Sequence, residues 1–171
     1  MRQALMRPPA LSVALLLCLG TVAGHAQAPT QGAMAQASAQ IYQPVSIQKP
    51  ADLNFGAMIA SPSAGKVVLG PNGARTATGG AVLASAAGVS ATSFVVSGEP
   101  NATFSLTLPA SILIASGAQS MTVDAFTTDT PTTRLDARGT LALHVGATLA
   151  LAANQAAGLY SGSFTVTVAY N

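Results

Sequence analysis

Tryptophan is absent, cysteine occurs once, and Asp, Glu, Lys and Arg together make up only 7 % of the residues. Each shortage removes a class of function. The single cysteine, Cys18, has no partner for a disulfide and no companion thiols for a zinc or iron–sulfur site. Beyond residue 26 the basic residues are Lys49, Lys66, Arg75, Arg134 and Arg138, against Asp52, Glu99, Asp124, Asp129 and Asp136. The formal excess of positive charge therefore belongs to Arg2 and Arg7, and no basic stripe exists to hold nucleic acid. Nor is there an apolar run of the ~20 residues that a membrane-spanning helix needs.

What is present begins with the layout of a secretory signal peptide. Arg2 and Arg7 give a positive start, Ala10 to Leu19 is nearly all Ala, Leu and Val, and Gly24 and Ala26 are small. The expected cleavage follows Ala26 and leaves Gln27 first. The two arginines are not adjacent, which favours export in the unfolded state over a twin-arginine route. Cys18 is preceded by Leu17 rather than by a small residue, which argues against lipidation. The exported chain, in the periplasm, at the outer-membrane surface or outside the cell, would keep no cysteine. At about 145 residues it is long enough to hold together by its core alone, under a neutral coat of Ser, Thr, Asn, Gln and Gly.

From residue 45 onward the chain reads as short strands broken by turn residues, with no window at helical period. The expected strands are Val45 to Lys49, Leu53 to Met58, Lys66 to Leu69, Thr92 to Ser97, Ala102 to Leu108, Ile112 to Ala115, Met121 to Phe126, Thr140 to Leu151 and Tyr160 to Tyr170. Ala102, Phe104, Leu106 and Leu108 alternate with Thr103, Ser105 and Thr107, and Leu141 through Leu151 alternates similarly. One buried and one wet face favour antiparallel sheets. "GPNGA" at Gly70 to Ala74 and "GEPNA" at Gly98 to Ala102 carry turn chemistry. The expected fold is all-β, an antiparallel immunoglobulin-like two-sheet sandwich over residues 45–171, with a barrel as the alternative.

Residues 27–44 differ in composition. "QAPTQGAMAQASAQIYQP" has no charge, and such leaders are often mobile. Yet Ala33, Ala35, Ala37, Ala39 and Ile41 occupy alternate positions, so this extension is either flexible or a segment able to add a strand to another chain. At the other end, "GLYSGSFTVTVAYN" sets Tyr160, Phe164, Val166, Val168 and Tyr170 on one phase. An unpaired apolar strand edge is a template for joining another chain.

Chemistry-bearing residues are few. His144 shares a phase with Thr140 and Thr148, which places it on the wet face of its strand. Asp124, Asp129 and Asp136 could offer oxygen ligands to calcium, but their spacing is not that of an EF-hand and their setting is turn chemistry. "NAT" at Asn101 to Thr103 fits a glycosylation acceptor only formally. No Ser sits in a nucleophile elbow, Arg75 and Arg134 read as caps of turns or partners of Asp, and no catalytic, metal or cofactor constellation is visible.

"ADLNFGAM" (Ala51 to Met58), "GPNGARTATGGAVL" (Gly70 to Leu83), "MTVDAF" (Met121 to Phe126) and "LALHVGATLALAANQAAGLYSGSFTVTVAYN" (Leu141 to Asn171) resemble the bacterial family described as domain of unknown function 4402. The likeness implies a secreted sandwich of Gram-negative envelopes, pilin-like in fold. A looser likeness is to chaperone-usher pilin subunits, whose last strand carries alternating apolar residues, a penultimate aromatic and a glycine fourteen residues from the end. Here those positions are Phe164, Val166 and Val168, Tyr170, and Gly158. This likeness implies a non-enzymatic subunit or adhesion component assembling by strand addition, with Gly158, Tyr160, Phe164, Val166, Val168 and Tyr170 as the assembly strand and Ala33 to Ile41 as donor. The implied partners are copies of itself or other pilus-like subunits, a periplasmic chaperone and an usher. The alternative is a self-complete sandwich that binds a glycan or an envelope partner.

Overall fold

A computed structural model describes residues 31–171. The expected signal peptide, residues 1–26, lies outside them, as do residues 27–30. Two units divide at residue 39. In the first, described residues 31–39 are exposed and carry no secondary structure, so Ala33, Ala35, Ala37 and Ala39 form no strand here. The second, Gln40–Asn171, holds every strand among the described residues and no helix, and it opens with Ile41 equally exposed and irregular.

The strands are β1 (Ser46–Ala51), β2 (Met58–Ile59), β3 (Gly65–Leu69), β4 (Arg75–Gly79), β5 (Val82–Leu83), β6 (Thr92–Ser97), β7 (Phe104–Thr107), β8 (Ser111–Ser116), β9 (Gln119–Thr128), β10 (Thr140–Leu151) and β11 (Thr167–Tyr170). All pairings are antiparallel. The order β1-β6-β10-β3-β4 forms the main sheet, to which β9 adds on β10 and β8 on β9, while β7 pairs with β11 and β2 with β5. The arrangement is all-β and sandwich-like: the inner face of β6 and β10 packs against that of β7 and β11.

β10 organises the molecule. Val145 stands opposite Thr92 of β6 and Thr128 of β9, and Leu149 stands opposite Val67 of β3 and Val123 of β9. Along one side, then, β10 pairs first with β6 and then with β3. The change of partner falls at Gly146, where a Cβ would collide with the Leu69 carbonyl and the start of the β3–β4 turn, so only glycine fits. The alternation of Leu143, Val145, Ala147, Leu149 and Leu151 thereby feeds two cores. Leu143 and Val145 join Phe94, Val96, Phe104 and Leu135 in one, while Ala147, Leu149 and Leu151 join Phe55, Val67, Leu69, Ala81, Met121 and Val123 in the other.

Three differences from the sequence-based expectation have local causes. The strand expected over Leu53 to Met58 shrinks to an Asn54–Ser90 bridge and the short β2. Asn54 Oδ1 folds back to accept the Gly56 N–H at 2.8 Å, and Gly56 has a φ of 71°, which breaks the extended run. β4, "RTATG", has no large apolar residue and gives no alternating signal, but the Gly70–Ala74 turn returns it onto β3 as an edge strand. The strand expected over Tyr160 to Tyr170 makes a ladder only from Thr167. Ser161 bridges Ala115 of β8 while β11 pairs with β7, so the stretch between crosses from one sheet to the other.

Candidate functional site: an apolar groove with an unpaired rim

The second core is incompletely roofed. A cavity of about 950 Å³ runs between residues 53–60 on one side and residues 155–162 with Phe164 on the other. Its floor is the inner face of three paired strands: Ile112 and Ile114 of β8, Met121 and Val123 of β9, Leu149 and Leu151 of β10. These six share a face because β8–β9 and β9–β10 pair in register, Ile112 with Val123 and Val123 with Leu149. None of the lining residues is Asp, Glu, His, Lys or Arg.

The two rims are fixed differently. On the first, the Arg75 guanidinium donates through Nη1 to the Phe55 and Ala57 carbonyls at 2.6 and 3.1 Å, and through Nη2 to the Ser85 carbonyl at 3.0 Å. Three main-chain acceptors thus hold that rim from outside the groove. On the second, Tyr160 Oη donates to the Ala156 carbonyl at 2.8 Å and accepts from Gln155 Nε2 at 2.9 Å, closing a small loop on itself. Beyond Ser161 this rim is bare: from Gly162 to Val166 no backbone group has a hydrogen-bond partner among the described residues. Free N–H and C=O groups in extended chain are what a pairing strand needs.

The assembly residues expected from sequence divide along this boundary. Gly158, Tyr160 and Phe164 line the groove. Val166, Val168 and Tyr170 pack into the first core, Phe164 reaches it too, and its ring stacks at a tilt on Phe126 with centroids 5.0 Å apart. Their common phase survives although most of the segment is not ladder: positions 160, 164, 166, 168 and 170 are half-buried and those between are exposed. Tyr170 is clasped within the chain. Its hydroxyl donates to the Gln43 carbonyl at 2.7 Å and accepts from the Glu99 N–H at 2.6 Å, and it occupies space that a side chain at Gly98 would need. Glu99 Oε2 in turn accepts the Gln43 N–H at 3.1 Å.

Other candidates take plain roles. Arg134 Nε donates to the Asn101 carbonyl, a turn cap as its sequence setting suggests. Asp136 closes its own turn, accepting the N–H groups of Arg138 and Thr140, each at 2.8 Å. These bonds, the Thr140 N–H first, hold its carboxyl below the usual range. His144 lies on the outer face, but not alone. Asp129 accepts its backbone N–H at 2.8 Å and meets its Nδ1 at 2.7 Å, with Ser93 across the ladder from His144. Partial burial pushes the Asp129 carboxyl up, but the bonds from His144 and Thr130 outweigh it and the net shift is downward. The His–Asp pair is not legible in the sequence, because fifteen residues separate the two and only the β9–β10 register joins them. The pair stands on an open sheet face outside the groove, so no enclosed volume accompanies it. Among the described residues no three His, Cys, Asp or Glu are grouped to hold a metal.

The groove's floor was not singled out from sequence, and Arg75, read there as a turn cap or a partner of Asp, binds three carbonyls at the first rim. The alternation of β8, β9 and β10 carried the signal for the floor, but alternation marks a face without saying whether anything covers it.

Fold and groove together define an antiparallel β protein with one core sealed and one partly open. The chain belongs to the family described as domain of unknown function (DUF4402), whose model matches residues 45–170. No curated protein and no solved structure matches it.

Proposed function

We propose that the protein is a non-enzymatic, exported structural component, a pilin-like subunit or adhesion component, that accepts an extended strand of another chain into its groove. One observation carries this reading: an apolar cavity whose floor is core and which borders a stretch, Gly162 to Val166, that lines it through Gly162 and Phe164 and has no backbone partner among the described residues. A strand laid there would pair with that rim while its inward side chains cover what Ile112 and Ile114 leave exposed. The partners consistent with it are copies of this chain or other pilus-like subunits, delivered by a periplasmic chaperone and an outer-membrane usher.

Hydrogen exchange tests the reading. In the free protein the amides of Ser163 to Val166 should exchange as fast as in an unfolded chain, and a peptide of alternating Val and Thr should protect them. Ile59→Asp and Leu159→Asp, at exposed rim positions, should abolish that protection without unfolding the protein. Amides already protected in the free protein would mean that the rim is satisfied and would end this reading. A self-complete binding module would then stand, and the in-chain clasp of Tyr170 with the β7–β11 pairing is the observation that favours it.

A further inference from the structure

The outer face of the main sheet lies away from the groove, and two opposite charges on it are left over. Four of the five acidic residues are engaged within the chain: Asp52 with Lys49, Glu99 with the Gln43 N–H, Asp129 with His144, and Asp136 with the N–H groups of its own turn. The fifth, Asp124, has no side-chain partner among the described residues. Nor has Lys66, the other of the two lysines.

Register puts both on one surface. Val67, Leu69, Val123 and Leu149 are buried in the core, so the residues that alternate with them, Lys66, Val68, Asp124, Thr148 and Ala150, point outward. Val68 and Asp124 stand opposite Thr148 on its two sides, and one step along the strand Lys66 and Thr122 flank Ala150 in the same way. Lys66 and Asp124 therefore occupy opposite flanks of β10, about 10 Å apart across the strands and about 7 Å apart along them. That separation is too great for a pair within one sheet.

We infer that this face docks against the same face of a second copy, about a two-fold axis that runs along β10. Such an axis exchanges the two flanks of the strand. Lys66 of one copy then lies over the flank that carries Asp124 of the other, and symmetry forms the reciprocal pair. The lysine stem spans the remaining offset along the strand. The surface between the charges suits a dry contact: Val68 is 40 % exposed and Leu113, opposite Thr122 on β8, is 65 % exposed, with Ala150 between. The face is also large enough. With β10 at 12 residues and four to five strands abreast, it frames roughly 800 Å², the share of one partner in an interface of standard size. His144 and Asp129 on the same face satisfy each other and bring no further unpaired carboxylate.

Sedimentation equilibrium of the full chain tests the inference. The native protein should dimerise. Lys66→Glu or Asp124→Lys alone sets like charges together at both contacts and should weaken the dimer at least ~10-fold. An equimolar mixture of the two variants should recover the native affinity, because both contacts of the mixed pair then join opposite charges. Val68→Glu, a break that keeps Lys66 and Asp124, should abolish the dimer, and Leu159→Asp at the groove should leave it intact. A native protein that stays monomeric at its highest soluble concentration would overturn the inference, as would variants of the sheet face that dimerise like the native protein or a mixture no tighter than its components. Loss of the dimer in Leu159→Asp would overturn it too, by placing the contact at the groove. None of these results bears on hydrogen exchange at Ser163 to Val166, so this inference and strand addition stand or fall separately.

Discussion

The two ends of β10 belong to the same strand and face opposite fates. At its N-terminal end, Leu143 and Val145 are sealed under β7 and β11, and aromatic rings do much of the sealing: Phe94 and Phe104 are buried, and Phe126, Phe164 and Tyr170 pack against them. At its C-terminal end, Leu149 and Leu151 lie under two irregular segments with a cavity between them. Equal alternation thus buries both ends, under a second sheet at one and under irregular segments that leave a cavity at the other. Hydrophobic pattern alone makes a surface that needs covering; topology decides what covers it.

Truncation of a large side chain should separate the two ends most sharply. Phe104 is fully buried, and Phe104→Ala should cost about 3–5 kcal/mol, enough to leave a domain of ordinary stability close to unfolded. Ile112 is only partly buried on the groove floor, and Ile112→Ala should cost about 2 kcal/mol, the low end for such a truncation. Urea denaturation of both variants checks the contrast. Similar losses would mean that the groove is filled in solution.

The clasp at the closed end comes next in size. Tyr170→Phe leaves the ring but removes the donor to Gln43 and the acceptor for the Glu99 N–H, and it should cost about 1–2 kcal/mol. Gly98→Ala drives a methyl into the same hydroxyl and should cost about 1–3 kcal/mol. The double variant should lose less than the sum, because both changes break one contact. Neither substitution should alter peptide binding in the groove. A parallel loss of binding would show that the two ends are one cooperative unit.

How much of this was legible beforehand follows from the same contrast. β6 and β10 run over the residues expected of them, and in β10 the alternation itself marks the strand, because large side chains on one phase leave one choice of face. Family membership and the all-β class were equally readable. β4 escaped notice because Thr76, Ala77 and Thr78 earn their strand geometry from a neighbour, β3, and from a turn. The loss of Leu53 to Met58 hinged on one asparagine side chain competing with the ladder. The groove itself could not be read, since its floor belongs to β8, β9 and β10 and its rims to residues 53–60 and 155–164. Only the change of sheet between Ser161 and Thr167 leaves it open. The Asp129–His144 pair is of the same kind, a product of register.

Acid offers the gentlest way to separate the ends, because the groove lining has no carboxylate while the closed end has Asp136 in the turn that leads into β10. The Asp136 carboxyl is held low by N–H donors that favour its charged form. Its folded value is therefore below the unfolded one, near 3.9. The sign follows: its contribution is fully present above the unfolded value and is lost as pH falls through the folded one. Between about pH 4 and pH 2 the native protein should lose a small increment of stability that Asp136→Asn does not lose, since an amide carbonyl keeps two of the bonds and does not titrate. Thermal melts of both proteins across that window measure the difference. Affinity for the peptide of alternating Val and Thr, by contrast, should stay level wherever the protein remains folded. A fall in affinity that tracks the titration of Asp136 would show that the turn of the closed end reaches the groove through β10.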